Sequence, residues 1–272
     1  MIDLRCQLFE GQPRGPADFA DAARACRAAC DEGVRSMVAV IPWPSGAIEP
    51  PLSFDECDRR LALLQAEVGD RLRLHLGFAL EYAPDLPALV ERHGKLLALG
   101  GASHLLVSLP ALAVPAEAER VWEALAGLGF GVVIARPECS PALRRDPARL
   151  ARWVASNLTL QLDAASLTGA HGREAHRSAL ALVKAQGAAG RVVVASNGSA
   201  GGRRVSLAAA AASLEGRFGG RVARRLTSQR PAEILGGPGD AAEAGAAKAV
   251  SRLSWAEMLL RPWRAREMQQ EW

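Results

Sequence analysis

Short apolar runs and longer amphipathic stretches take turns along this chain from its first residues to about residue 220. The runs at 2–7, 34–41, 71–78, 103–109, 131–136, 158–163 and 191–196 have the length and the Val, Ile and Leu content of buried strands. The segments between them carry helix start and stop signals. Residues 16–33 open with Pro16 and stop at Gly33. Ser53 and Glu56 stand at capping-box spacing, and Asp146 followed by Pro147 reads as a cap and a first-turn proline. Strands and helices in strict alternation require a parallel sheet with helices packed outside it. Seven such units predict an α/β fold, a distorted seven-stranded βα barrel of the TIM-like kind. An open doubly wound sheet is the alternative. In a βα barrel chemistry belongs at the C-terminal ends of the strands, so those positions are the ones to inspect.

Composition narrows the class. Hydrophobic residues make up 49% of the 272 and aromatics only 5%, so Ala and Leu must build most of the core. The net charge of +4 is spread along the chain, without the Lys/Arg stripe and interleaved aromatics of a nucleic-acid binder. The five Cys are odd in number and contain no Cys-x-x-Cys. Cys26 and Cys30 lie on one face of an expected helix and read as small core residues rather than as metal ligands or a disulfide. Reduced thiols, with no signal-peptide pattern and no long apolar run, lead to the expectation of a cytoplasmic protein without a transmembrane segment.

The organisation expected is a barrel domain over 1–236, then a Gly/Pro linker and a Trp-rich helical tail over 237–272. The tail holds three of the six Trp, at Trp255, Trp263 and Trp272. Its apolar residues surround most of a helix circumference and Pro262 interrupts it, which leaves three readings open: a helix packed on the barrel, a segment that docks a partner or oligomer, or a membrane-surface segment.

Several stretches together resemble the bacterial PHP-type (polymerase and histidinol phosphatase) tyrosine phosphatases of capsule and exopolysaccharide operons. They are the opening "MIDL", the turn ending at Gly15-Pro16, "GVRSMVAV", "EYAPDL", "VVIARPE", "SLTGAHG", "VVVASNGS" and the closing "RPAEIL". The resemblance runs over residues 1–236. It implies the barrel, a cluster of divalent metals (usually manganese) that activates water, and hydrolysis of phosphotyrosine on a capsule-regulating tyrosine kinase.

Read onto this chain, the family's ligand positions hold the wrong chemistry. The His-x-His pair falls on Arg5 and Gln7, the next His on Pro42, the two Glu on Ala79 and Ser108, the His of His-Pro-Glu-Arg on Arg136, and the Asp-x-His pair on Asn197 and Ser199. A cation cluster needs imidazole and carboxylate donors, whereas arginines repel cations. Glu81, close to Ala79, is the nearest donor. His75, His93, His104, His171 and His176 lie off the motif. "NGSAGG" lacks the Gly-x-Ser-x-Gly of a nucleophile elbow. Cys139, with Arg144 and Arg145 in a Pro/Arg loop behind it, is not read as a cysteine-phosphatase loop.

What remains is anion binding. Arg204 falls on a phosphate-contacting Arg of the family, and the Gly-rich stretch around Gly198 and Ser199 joins a strand to a helix in the manner of a phosphate cradle. With Arg5 and Arg136 these residues form a candidate bowl for a phosphorylated or acidic ligand. In the competing reading Arg5 and Arg136 pair internally with Glu138, Asp163 or Glu81. The expected function is therefore a pseudoenzyme without catalytic residues or metal, binding or regulating within an exopolysaccharide system, with a bacterial tyrosine kinase as a candidate partner and oligomer formation left open. The alternatives are a divergent manganese-dependent phosphatase and a structural partner that docks through its tail.

Overall fold

The computed structural model describes residues 1–12, 14–110, 113–187, 189–199 and 206–237. The expected tail beyond the linker, and Arg204, lie outside the described residues. Seven parallel strands form a nearly closed βα barrel: β1 (Ile2–Gln7), β2 (Ser36–Trp43), β3 (Arg73–Glu81), β4 (His104–Ser108), β5 (Gly131–Ala135), β6 (Thr159–Asp163) and β7 (Val192–Ala195). A two-residue strand, β8 (Gly198–Ser199), adds to the free edge of β1, giving the order β7-β6-β5-β4-β3-β2-β1-β8. The barrel, and not the open doubly wound alternative, is the architecture.

The connections carry α1 (Phe19–Asp31), α2 (Phe54–Val68), α3 (Leu86–His93), α4 (Ala118–Gly127), α5 (Pro141–Arg145), α6 (Pro147–Ala155), α7 (Ala164–Leu167) and α8 (Arg173–Gln186). After β8 come α9 (Leu207–Phe218), α10 (Gly220–Arg224) and α11 (Arg230–Ile234). The cap chemistry explains their starts. Ser53 accepts from the Glu56 amide at 3.3 Å and Asp146 from the Arg149 amide at 2.9 Å, each satisfying an N–H that the helix itself leaves open. At α1 the cap is Asp18, which accepts from the Asp21 amide at 2.7 Å; Pro16 lies ahead of the helix rather than in its first turn.

Side-chain alternation along the strands separates two cores. Val38, Val40, Leu106, Val133 and Val193 fill the barrel interior with Leu4. Their strand neighbours, among them Met37, Ile41, Val107, Ile134 and Val194, join the outer core beneath the helices, where Cys26 and Cys30 are also buried. β2 and β3 run past their expected ends, to Trp43 and Glu81. Pro42 is tolerated there because its register partner is Ala79 of β3, while pairing with β1 has already stopped at Cys6 and Ala39. At the N-terminal end of the barrel Ile234 of α11 plugs the interior. Arg230 Nη2 reaches Thr159 Oγ1 at 3.0 Å, and Glu233 ties Arg225 to Arg230. The closing "RPAEIL" is thus a stopper for the barrel floor.

No strand ladder joins β1 to β7. A fully buried carboxylate bridges the two sides instead. Asp3 Oδ1 accepts from the Ser196 amide just past β7 at 3.0 Å and from the Arg5 amide at 3.3 Å, while Oδ2 accepts from Cys6 Sγ at 3.1 Å. Removing it strands two buried backbone amides, each costing about 1–3 kcal/mol. Asp3→Ala is expected to lower stability by roughly 3 kcal/mol in urea unfolding, and Asp3→Asn, which keeps an acceptor oxygen, by clearly less. Equal losses for the two variants would mean that the clasp does not hold the seam.

Candidate functional site

The inward parity of each strand decides what the barrel mouth contains. On β2, β3 and β4 the inward sequence continues through Pro42, Ala79 and Ser108, so three of the positions picked out from the sequence do point toward the bowl. On β1 the register shifts between Asp3 and Cys6. Leu4 belongs to the interior cluster and Cys6 to the outer one, so the irregularity turns Arg5 inward above Leu4. Its guanidinium reaches Gln161 Oε1 of β6 at 3.5 Å across the barrel.

Two residues at the mouth adopt left-handed backbone geometry without being glycine: Arg136 directly after β5 (φ 51°) and Asn197 two residues past β7 (φ 48°). Such conformations cost free energy and concentrate at functional sites. The Arg136 amide donates to the Gln161 carbonyl at 2.7 Å, which anchors the turn to β6. Asn197 Nδ2 donates to Asp163 Oδ2 at 3.2 Å. Ser199 pairs with Gln7 in the β1–β8 ladder. Gln7 Oε1 is buried without a hydrogen-bond partner among the described residues. The Gly198 amide is already engaged by Ser196 Oγ at 3.0 Å, so it is not an open donor for a ligand.

The acidic groups near the arginines are committed elsewhere. Glu138 is fully buried in the turn after Arg136. Its Oε1 accepts from the Asp163 amide at 2.9 Å and Ser166 Oγ at 2.8 Å, and burial pushes its pKa up, so it tends toward the neutral acid. Asp163 accepts from Asn197 and from the Ala165 amide, and its Oδ2 lies 3.0 Å from His171 Nε2. Glu81 accepts from the Ser45 amide at 3.2 Å. Among the described residues neither Arg5 nor Arg136 forms an ion pair with any of these three carboxylates. Burial first, then the Arg136 charge, pushes the Arg5 guanidinium down to about 10, with Asp163 and Glu138 pulling the other way. Arg5 stays charged at neutral pH, and the mouth holds two cations close enough to oppose each other.

The residues at the ligand positions expected from the resemblance do not fit a divalent metal cluster. Arg5 and Arg136 are cations, while Pro42 and Ala79 offer no side-chain donor. Among the described residues no three His, Cys, Asp or Glu side chains converge on one point. His75 and His104 open β3 and β4, at the opposite end of the barrel. A cysteine nucleophile fares no better. Arg145 stands at the Cys-x5-Arg spacing from Cys139 but is exposed, and burial, followed by the Glu138 charge, pushes the Cys139 thiol up to about 11, which leaves no thiolate at neutral pH.

One inward residue, Gln161, was not expected from the sequence, and Asp163, expected only as a partner of the arginines, contacts His171 instead. Gln161 and the Asp163–His171 contact complete the polar rim, and only the alternation Thr-Leu-Gln-Leu-Asp along β6 signalled them, with three polar residues on one face of a buried strand.

The geometry defines a class, a βα barrel with a polar mouth at the C-terminal ends of its strands. A family model for capsular polysaccharide synthesis proteins (CpsB/CapC) matches residues 1–236, and the chain belongs to that family. It is 28% identical over 194 residues to the tyrosine-protein phosphatase YwqE of Bacillus subtilis (strain 168), covering 68% of this chain and 73% of that protein. The fold superposes with a TM-score of 0.77 on a structure from work on YwqE of B. subtilis and CpsB of Streptococcus pneumoniae, described as unique metal-dependent tyrosine phosphatases. That match has 26% identity and covers 88% of this chain and 96% of the other. A β-aspartyl dipeptidase from Fervidobacterium islandicum shares the fold alone, at 14% identity and a TM-score of 0.54, over 86% of this chain and 74% of its own. The chain is therefore a member of a phosphatase family. Among its described residues, no helix is long and apolar enough to cross a membrane.

Glu138 supplies a pH test of this electrostatic picture. Its folded pKa lies above the unfolded value of about 4.3, so its stabilising contribution is complete below that value and is lost as pH rises through the folded pKa. Glu138→Gln cannot ionise and escapes the loss. The melting temperature of Glu138→Gln should match the wild type near pH 4 and exceed it by a margin that widens toward pH 7. A margin independent of pH would show that folding does not raise the Glu138 pKa.

Proposed function

We propose that this protein is a catalytically degenerate member of the capsule-synthesis phosphatase family, a pseudoenzyme that binds a phosphorylated or acidic ligand at the barrel mouth without hydrolysing it. The observation that carries this reading is the pair Arg5 and Arg136. Both stand at positions that the resemblance gives to metal ligands, and the carboxylates around them are hydrogen-bonded to other groups, with burial raising the Glu138 pKa. Like charges held together inside a fold oppose its stability, and fixed cations at a barrel mouth attract anions. An arginine fork matches the oxygens of phosphate, so the two side chains take the charge role that metals have in the relatives. Ser199 and Arg204 complete the proposed bowl, with Arg204 outside the described residues, while the Gly198 amide stays with Ser196. The ligand in this reading is a phosphorylated segment of a bacterial tyrosine kinase in exopolysaccharide synthesis, the protein works in the cytoplasm, and no manganese or other cofactor takes part.

Binding and stability together test the reading. The wild type is expected to bind a phosphotyrosyl peptide and to show no turnover of p-nitrophenyl phosphate with manganese between pH 7 and 9. Arg5→Met should weaken the peptide by about tenfold or more, the loss of one charge-assisted contact, yet fold at least as stably as the wild type. A destabilised Arg5→Met with unchanged affinity would favour internal pairing of the arginines. Manganese-dependent turnover would restore the divergent phosphatase.

A further inference from the structure

Between the turn after β5 and the start of α8 lies an open cleft of about 450 Å3, lined by Arg136 but not by Arg5. Three guanidinium groups line it, those of Arg136, Arg144 and Arg173, against one carboxylate, Glu174. Arg144 is held in place rather than neutralised. Its Nη1 donates to the Glu138 and Cys139 carbonyls, both at 3.1 Å, and its Nη2 meets the mostly exposed Glu174 at 2.8 Å. Among the described residues Arg136 and Arg173 have no ion-pair partner. His171 adds a ring whose Nε2 is fixed on Asp163. The first turn of α8, which no side chain caps, forms one wall and adds its dipole to the same positive field.

The rest of the lining decides what the anion is attached to. It consists of Cys139, Gly172 and Ala175, with no aromatic and no branched aliphatic side chain. Small-molecule sites span about 300–1,000 Å3, so the cleft has room for a phosphate and the group that carries it. An aromatic carrier would find no apolar wall. A hydroxyl-rich carrier would find Glu174 to accept and guanidinium N–H groups to donate. We propose that this cleft is a second anion subsite, which adjoins the Arg5 bowl and shares Arg136 with it, and that it takes a phosphate monoester of a sugar or similar polyol.

Calorimetric titration of the full chain at low salt tests this with glucose 1-phosphate, phenyl phosphate and inorganic phosphate as probes. Glucose 1-phosphate should bind several-fold more tightly than either of the other two. Arg173 is exposed and outside every core contact described above, so Arg173→Glu should fold normally and weaken glucose 1-phosphate by about tenfold or more. Arg5→Met, at a residue that does not itself line the cleft, should weaken glucose 1-phosphate clearly less than Arg173→Glu does. Phenyl phosphate binding as well as the sugar phosphate, or Arg173→Glu without effect, would overturn the proposal. Loss on Arg5→Met but not on Arg173→Glu would move the binding to the bowl and sink the cleft alone, whereas a bowl that fails its own peptide test leaves the cleft result standing.

Discussion

A single buried carboxylate holds the barrel together at its seam. Six of the seven strands reach the next through a parallel ladder, but β7 and β1 meet without one. Asp3 spans the gap by accepting from the Ser196 amide on one side and from Arg5 and Cys6 on its own strand. Because the clasp sits where β1 changes register, it also fixes the direction of the next residue. The same atoms that close the fold therefore aim Arg5 into the mouth. Structure and site share one cause in the opening strand.

From that placement the electrostatics of the mouth follow. The wall of the mouth is itself cationic, with Arg5 beside Arg136. Glu138 turns away into a buried pocket with Ser166 and the Asp163 amide, and Asp163 is taken up by Asn197 and His171. The left-handed turns at Arg136 and Asn197 stand at the ends of β5 and β7 that face the mouth. In this account a bowl of fixed positive charge can attract an anion, but it has neither a metal-bound water nor a thiolate with which to attack it.

The strands were legible because Val, Leu and Ile runs such as VVIA and VVVA leave little choice, and the helix starts were legible where Ser53 and Asp146 announce them. The ends of β2 and β3 were not, since Pro42 breaks a ladder only on the side where a partner is present, and that depends on where β1 stops. Strand parity brings Pro42, Ala79 and Ser108, picked out from the motifs, to face the same end of the barrel interior. Gln161 and the contact between Asp163 and His171 were hidden, the first inside a strand that reads as core and the second across a loop whose path no local pattern sets. The amide of Gly198, expected to face a ligand, is instead consumed by Ser196, a short-range bond that composition does not reveal.

The account turns on whether the mouth has exchanged metal for arginine. The most direct measurement is the metal content of the purified full-length protein after incubation with excess manganese and desalting, determined by elemental mass spectrometry. The account predicts essentially no retained manganese. Tightly held ions in stoichiometric amount would contradict it and return the protein to the metal-dependent phosphatases.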